Sequence, residues 1–355
     1  MTNLDVLEDI KKLDKGGFLS SLQLIPDQFS QAWEEMEKCK LPQASSSCQN
    51  VVICGMGGSA LGGRVVDSLV YDKARVPIEV FTEYTMPTYV NSASFVIVFS
   101  YSGNTEETLS AAKEALSKGA KIFGITTGGK LAEFLKKNKL ASYVFNPKYN
   151  PSGQPRMGLG YAIASIFSLL SKCAFIRYGN EKEDINFTLK KFVEEFDVAA
   201  PESKNLAKTF ARKLLHKAVV LMASEHLVGI SHAFANELNE NSKTFSALFD
   251  LPEANHHLME GLRFPPKAKE LLYFLFIQSK HYTPQVQKRY PITNEVFKIN
   301  GYSSSTYVTS SDEKVLEIFE VLMFGSYVSF YLAMLNGIDP TPIPWVDYFK
   351  AQLVR

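Results

Sequence analysis

The 355-residue chain is poor in cysteine and carries almost no net charge. Its four cysteines form no CxxC pair, so neither a zinc knuckle nor a disulfide framework is expected. The 38 Lys and Arg residues are offset by 37 Asp and Glu residues. Nucleic-acid binding normally depends on many phosphate-neutralising cations, so this balance argues against a nucleic-acid partner.

Long apolar runs and cofactor motifs are also missing. No stretch reaches 18 uncharged apolar residues, and the charged start of the chain lacks the apolar segment of a secretory signal, so we expect a cytoplasmic protein with no membrane span. No Lys-Ser/Thr pair follows the glycines of residues 55–63, so no nucleotide cofactor is expected. No metal is expected either, because four histidines show no metal-ligand spacing with acidic partners. These are His216, His226, His232 and His281.

The chain contains a regular alternation of strand-like and helix-like segments. Apolar runs such as NVVICGM and SFVIVFS alternate with helical patterns such as ETLSAAKEALSKG. The alternation predicts right-handed βαβ units and an α/β fold of two tandem lobes, each a mostly parallel sheet flanked by helices. The predicted divisions are an N-terminal segment of one or two helices (1–48), a first lobe (49–153), and a second lobe with an interlobe helix and a C-terminal helix (154–355).

The first of two notable loops, GMGGSALGG, follows a predicted strand and begins a predicted helix. Glycines let the backbone approach an anion closely, and the free amides of a helix N-terminus attract negative charge. Gly58 and Ser59 are therefore candidate phosphate-binding residues. Taken alone, the loop is also compatible with a glycine turn required by tight strand–helix packing.

The second loop, SYSGNTEET, again joins a predicted strand to a predicted helix. Ser100, Ser102 and Thr105 offer three hydroxyls within six residues, and uncharged donors suit the oxygens of a phosphate. A single hydroxyl here is better explained as a helix cap. Three of them beside a second glycine loop favour a phosphate site, because ligands of open α/β sheets lie outside the carboxyl ends of the strands.

At these two loops the sequence resembles the SIS sugar-phosphate-binding domain. Four later segments resemble the bifunctional phosphoglucose/phosphomannose isomerases of archaea and bacteria, in order along nearly the whole chain. They are PSGQPRMGLGY, NELNENSK, LPEANHH and NGIDPTPIPWVDYFK. The resemblance implies two SIS-type lobes, a sugar-phosphate substrate, and aldose–ketose isomerisation of hexose 6-phosphates through an enediolate.

The resemblance also implies roles for particular side chains. Glu240, at the end of a predicted helix, matches the catalytic glutamate, and a carboxylate shielded from water is a stronger base. Arg156 follows the Pro-rich junction between the lobes, where a guanidinium can stabilise a developing enediolate oxygen. Lys350 resembles the lysine that assists ring opening, and Thr341 is expected near the sugar.

His256 is the candidate ring-opening acid and base, since histidine titrates near neutrality. The matching histidine of the family is followed by asparagine, whereas His257 follows here, so His257 is the alternative; the spacing from Glu240 favours His256. Related phosphoglucose isomerases take this histidine from the neighbouring subunit, which implies a homodimer with a shared site.

Two other functions stay open at this point. A sugar-phosphate-sensing SIS protein would bind the same ligand through the same loops without catalysis. An isomerase of another sugar phosphate would use the same proton transfer on a different carbon chain. A sensor has no need of Arg156, Glu240 and His256 together, and this set favours an enzyme.

Overall fold

The computed structural model describes residues 2–178 and 181–353 of the chain. The strands of the first sheet are β1 (Asn50–Cys54), β2 (Ile78–Phe81), β3 (Ser94–Ser100), β4 (Lys121–Thr126) and β5 (Ala141–Val144). All of them are parallel, in the order β2–β1–β3–β4–β5. The strand order reverses between β1 and β3, so the loops after these two strands diverge and leave a crevice at the carboxyl edge.

The second sheet repeats this pattern with fewer strands. They are β6 (Ala218–Ala223), β7 (Ser246–Asp250), β8 (Leu272–Gln278) and β9 (Ser303–Val308). They are parallel in the order β7–β6–β8–β9, with the reversal between β6 and β8. The predicted pair of parallel α/β lobes is confirmed. The domain boundaries at residues 48 and 153 stay a prediction.

Helices surround both sheets. In chain order they are α1 (Leu7–Leu13), α2 (Phe18–Gln23), α3 (Ile25–Lys38), α4 (Gly58–Val70), α5 (Glu106–Ser117), α6 (Gly129–Lys137), α7 (Leu159–Lys172), α8 (Lys182–Phe196), α9 (Leu206–Leu214), α10 (Val228–Glu240), α11 (Leu258–Gly261), α12 (Ala268–Leu271), α13 (Pro284–Ile299), α14 (Lys314–Leu335) and α15 (Pro344–Leu353).

The N-terminal segment contains three helices, so the prediction of one or two was wrong. Gly17, at φ 68°, separates α1 from α2, since a left-handed residue cannot continue a helix. Pro26 lies in the first turn of α3, where its missing N–H costs no hydrogen bond.

Helix α14 forms the centre of the core. By length and composition it could cross a membrane, but its most apolar window is completely buried inside the fold. It packs against α8, α9 and α10. Asn336 ends it and Gly337 follows at φ 71°, a left-handed conformation that glycine adopts readily after a helix.

The two lobes meet where α4 of the first lobe packs against α10 of the second. Gly229 permits this approach, because a Cβ there would lie 2.1 Å from the Arg64 carbonyl oxygen. The Gly229 amide donates to Ser68 Oγ at 3.1 Å, so the start of α10 lies beside the end of α4. The helices are therefore antiparallel, and the end of α10 is directed toward the glycine loop that begins α4.

Candidate active site

The glycine loop after β1 places Ser59 at the carboxyl edge of the first sheet. Gly57 adopts φ 50° and α4 begins at Gly58, so the loop leads directly into a helix N-terminus. Ser59 is buried, and its Oγ accepts a hydrogen bond from the Tyr101 amide at 2.9 Å. Because the oxygen already accepts, the hydroxyl hydrogen is available to a ligand oxygen.

The loop after β3 holds the other predicted hydroxyls. Ser100 is fully buried, accepts from the Gly103 amide at 3.1 Å, and lies 2.9 Å from Thr105 Oγ1. If Ser100 donates to Thr105, the Thr105 hydroxyl is in turn available to a ligand, and such chains polarise one another. Ser102 is exposed, and its Oγ accepts from the Asn104 amide at 3.3 Å.

Hydrogen bonds connect this second loop to the turn that carries Arg156. The Asn150 side-chain amide donates to the Tyr101 hydroxyl at 2.8 Å and to the Gln154 carbonyl at 2.9 Å. The turn also packs on the glycine loop, because a Cβ at Gly58 would lie 3.1 Å from the Arg156 Cα. The two phosphate-binding candidates and Arg156 therefore form one connected unit.

Arg156 is almost completely buried, with 3% of its surface exposed. Its Nε donates to Asn241 Oδ1 at 2.7 Å and its Nη1 donates to Gln154 Oε1 at 2.8 Å. Its Nη2 donates to the carbonyl oxygens of Pro340 and Thr341, at 2.9 and 2.8 Å. A buried cation held by four acceptors supplies a fixed positive charge, as a developing oxyanion requires.

Glu240 is the last residue of α10, and its Oε2 lies 3.8 Å from Arg156 Nη1. Its side chain is 29% exposed, so a ligand can reach it. Burial raises the pKa of the Glu240 carboxyl, and the positive charges of Arg156, Lys350 and Lys243 oppose that rise. The structure therefore brings Arg156 and Glu240 together beside the phosphate-binding candidates.

Lys243 and Gln154 belong to the same site, although sequence reasoning assigned them no role. Lys243 Nζ donates to the carbonyl oxygens of Glu240 and Pro340, at 2.8 and 2.9 Å. Burial, together with the charge of Arg156, lowers the pKa of Lys243 to about 8. The sequence signal for Lys243 was its place two residues after Asn241 in NELNENSK; Gln154 had no signal beyond its place in the Pro-rich junction.

In the folded chain, His256 and Glu240 lie at opposite ends of the strand β7. The Asn239 side chain bonds both backbone groups of Ser246, at 3.1 and 2.9 Å, so Glu240 lies at the start of β7. His256 is exposed and lies after the end of β7, in the turn Glu253–His256. The exposed His257 pairs with Glu253 at 2.8 Å. Neither imidazole contacts Glu240 within this chain.

Lys350 and Thr341 lie on the C-terminal side of the site. Lys350 is exposed on α15, yet it is close enough to Glu240 to lower the pKa of that carboxyl. Burial lowers the pKa of the Arg156 guanidinium, and the negative charge of Asp347, one turn before Lys350, is one of those that oppose this change. Thr341 contributes its backbone carbonyl to Arg156, while its buried hydroxyl oxygen has no hydrogen-bond partner. Across residues 2–178 and 181–353, no three His, Cys, Asp or Glu side chains are grouped to hold a metal ion.

The structure has two parallel-sheet lobes, with hydroxyl-bearing turns and an Arg–Glu pair at one sheet edge. This is the arrangement expected of a two-lobed SIS protein of the sugar-phosphate isomerase type, and two family matches agree with it. The family described as "SIS domain" matches residues 46–138. The family described as "Bacterial phospho-glucose isomerase C-terminal SIS domain" matches residues 203–353.

Curated relatives identify the particular family. A bifunctional phosphoglucose/phosphomannose isomerase from Caldicellulosiruptor bescii is 35% identical, over 94% of this chain and 98% of its own length. One from Aquifex aeolicus is 29% identical, over 91% of this chain and 94% of its own. The chain belongs to the bifunctional phosphoglucose/phosphomannose isomerase family, and the predicted family is confirmed.

The fold agrees with solved structures as well. A hypothetical protein from Thermus thermophilus superposes with a TM-score of 0.75 at 14% identity, covering 95% of this chain and 90% of that one. At this identity the likeness concerns the fold, and it confirms the predicted α/β architecture.

Proposed function

We propose that this chain interconverts glucose 6-phosphate and fructose 6-phosphate, and also accepts mannose 6-phosphate. The observation that carries the proposal is the 3.8 Å approach of Glu240 Oε2 to Arg156 Nη1. This pair lies beside the two turns that carry the hydroxyls of Ser59 and Thr105. Family membership supports the same reaction and the same substrates.

In the proposed mechanism, the helix N-terminus at Gly58 and the hydroxyls of Ser59 and Thr105 bind the phosphate, with Ser100 and Ser102 shaping their loop. The Glu240 carboxylate takes the C2 hydrogen of the open-chain aldose as a proton, and the electron pair forms the C1–C2 double bond of the enediolate. Glu240 returns the proton to C1, while the O2 hydroxyl proton passes to O1 and C2 becomes the carbonyl. The Arg156 charge stabilises the oxyanion between the two steps.

Ring opening requires a second acid and base, and we assign it to His256 with Lys350. Because His256 lies at the opposite end of β7 from Glu240, the proposal takes the histidine from the partner subunit of a homodimer. Two exposed aromatic residues of α15, Trp345 and Tyr348, support an association between chains. We place the enzyme in the cytoplasm, where hexose 6-phosphates are metabolised.

The direct test is to incubate the purified protein separately with glucose, mannose and fructose 6-phosphates in deuterated water and follow the products by NMR. We expect interconversion, with deuterium entering at C1 or C2. The variant Glu240→Gln should bind fructose 6-phosphate and turn over none. Binding without interconversion by the unmodified protein would favour a sensor, and full activity of the variant would reject Glu240 as the base.

The shared site has its own test. Glu240→Gln and His256→Ala homodimers should each be inactive, whereas mixed dimers should recover activity, because one of their two sites combines an intact glutamate with an intact histidine. A second mixture, of Glu240→Gln with His257→Ala, shows which of the two histidines is required for activity. Absence of recovery in both mixtures contradicts a histidine shared between subunits.

A further inference from the structure

We propose that Asn241 is a positioning residue for the isomerisation, orienting the Arg156 guanidinium toward the enediolate oxygen. The inference deepens the proposed function and depends on it. Both side chains are buried, and the bond from Arg156 Nε to Asn241 Oδ1, at 2.7 Å, is the shortest of the four that hold the guanidinium.

The orientation of the Asn241 amide is determined by its other neighbour. Asn241 Nδ2 lies 2.9 Å from Ser329 Oγ, and that hydroxyl donates its hydrogen to the Ser326 carbonyl oxygen at 2.9 Å. Ser329 has no second hydrogen and can only accept from Asn241. The amide nitrogen must therefore face Ser329, and the amide oxygen must face Arg156.

Counting donors shows what this arrangement leaves for a ligand. A guanidinium has five N–H groups. Asn241, Gln154 and the carbonyls of Pro340 and Thr341 accept from four of them. The remaining N–H is on Nη1, the nitrogen that lies 3.8 Å from Glu240. Arg156 is thus held from one side and offers one donor, together with its charge, to the reacting carbons.

The neutrality of Asn241 matters as much as its geometry. A carboxylate at this buried position would pair with Arg156 and offset the charge that stabilises the enediolate. It would also be unable to donate to Ser329, so the Ser329 hydroxyl would have to turn away from the Ser326 carbonyl to keep a hydrogen bond at this position. The asparagine fixes the guanidinium without cancelling its charge.

The test compares Asn241→Asp with Asn91→Asp, the same change far from the site. Asn91 lies in an exposed turn before β3, at the opposite edge of the first sheet from Arg156, and a carboxylate there keeps the hydrogen bond that Asn91 Oδ1 accepts from the Ala93 amide at 2.7 Å. We expect Asn241→Asp to lower kcat by about a hundredfold, similar to removal of one oxyanion-stabilising donor, with KM changed by less than about threefold because the phosphate loops are intact. Asn91→Asp should keep kcat within about threefold.

The pH profile supplies a readout that a purely structural role would not change. The charged groups facing Glu240 are Arg156, Lys243 and Lys350, with Glu237 on the same helix. A new negative charge beside Arg156 should move the acid limb of kcat/KM to higher pH in Asn241→Asp only. Equal kcat losses and unshifted limbs in both variants would overturn the proposal, as would a raised KM with unchanged kcat.

If thermal melting shows that Asn241→Asp does not fold, Ser329→Ala replaces it, since this variant removes the acceptor that orients Asn241. We expect a several-fold lower kcat at unchanged KM, and an unchanged kcat overturns the proposal. Failure of the proposed function is distinguishable, because the unmodified protein would then interconvert no hexose 6-phosphate.

Discussion

Lys350 is an exposed cation that acts on the partly shielded carboxylate of Glu240, the base in the proposed mechanism. Burial raises the pKa of the Glu240 carboxyl, and Lys350 is one of the charges that lower it. Glu240 must be ionised to act as a base, so activity falls as the pH drops through its pKa. In Lys350→Met the lost positive charge should move the acid limb of kcat/KM to higher pH.

The measurement is a kcat/KM profile from pH 4 to pH 8, in which the titration of the substrate phosphate is common to all variants and cancels. Lys298→Met removes an exposed lysine at the end of α13 and serves as the control. A limb that stays in place, or moves to lower pH, would show that Lys350 does not act on Glu240.

Glu237 is a buried carboxyl whose titration opposes folding. Burial raises its pKa to about 8, although Ser326 Oγ donates to it at 2.7 Å. Because the folded pKa exceeds the unfolded one, the carboxyl's contribution to stability is fully present below the unfolded pKa, near 4.3, and is lost as pH rises toward 8. Glu237→Gln keeps an acceptor for Ser326 and removes this titration.

We therefore expect Glu237→Gln to raise the free energy of unfolding by on the order of 4 kcal/mol at pH 8 and by only about 1 kcal/mol at pH 5. Urea unfolding at the two pH values measures it. A variant that is equally destabilised at both would indicate that Glu237 is ionised and paired in the folded protein.

At the scale of elements, the start of α4 and the turn of residues 155–157 form a close backbone contact. A Cβ at Gly58 would lie 3.1 Å from both the N and Cα of Arg156, and backbone atoms cannot rotate away as a side chain can. Gly58→Ala should push the turn outward by a few tenths of an ångström. We expect kcat to fall about tenfold, with a loss of stability of about 1–3 kcal/mol.

Gly261→Ala is the matched control, because a Cβ at that position meets no atom within 4 Å. It should leave kcat and the melting temperature nearly unchanged. Equal kcat values in the two variants would mean that the α4 contact does not position Arg156.

At the scale of the whole molecule, the second lobe repeats the topology of the first but fills its own crevice with carboxylates. Glu225, after β6, accepts from the Thr283 amide and hydroxyl, at 2.9 and 2.8 Å, where α13 begins. Glu317 accepts from Ser279 Oγ at 2.6 Å, beside His226. These carboxylates use the donors that a phosphate would need.

We therefore expect each chain to bind one hexose 6-phosphate. Isothermal titration with fructose 6-phosphate should give a stoichiometry of one per chain, and Ser59→Ala combined with Thr105→Ala should abolish binding in the same concentration range. Two sites per chain, or full binding by the double variant, would place a ligand in the second lobe.

Much of the fold could be predicted from local pattern. The strand β3 and the helix α14 are recognisable because each is a predominantly apolar run, short in the strand and long in the helix, as expected of elements that are buried on all sides. The prediction did not include α8 and α9, although their apolar residues recur at helical spacing, as Ile185, Leu189 and Phe192 do in α8. The candidate loops of the site were also visible, since glycines and hydroxyls directly after apolar runs mark the carboxyl ends of strands.

The sequence by itself determined the strands of the two sheets and most of the helices, and it determined family membership through six short motifs in order. Only the tertiary structure decided that Arg156 is held by Asn241 and Gln154, that Glu240 is shielded enough for its pKa to rise, and that His256 lies at the other end of β7. The physical reason is that periodicity records which face of an element is buried but not what covers it. Pairs such as Arg156 and Asn241, which are 85 positions apart, meet only when elements distant in sequence pack together.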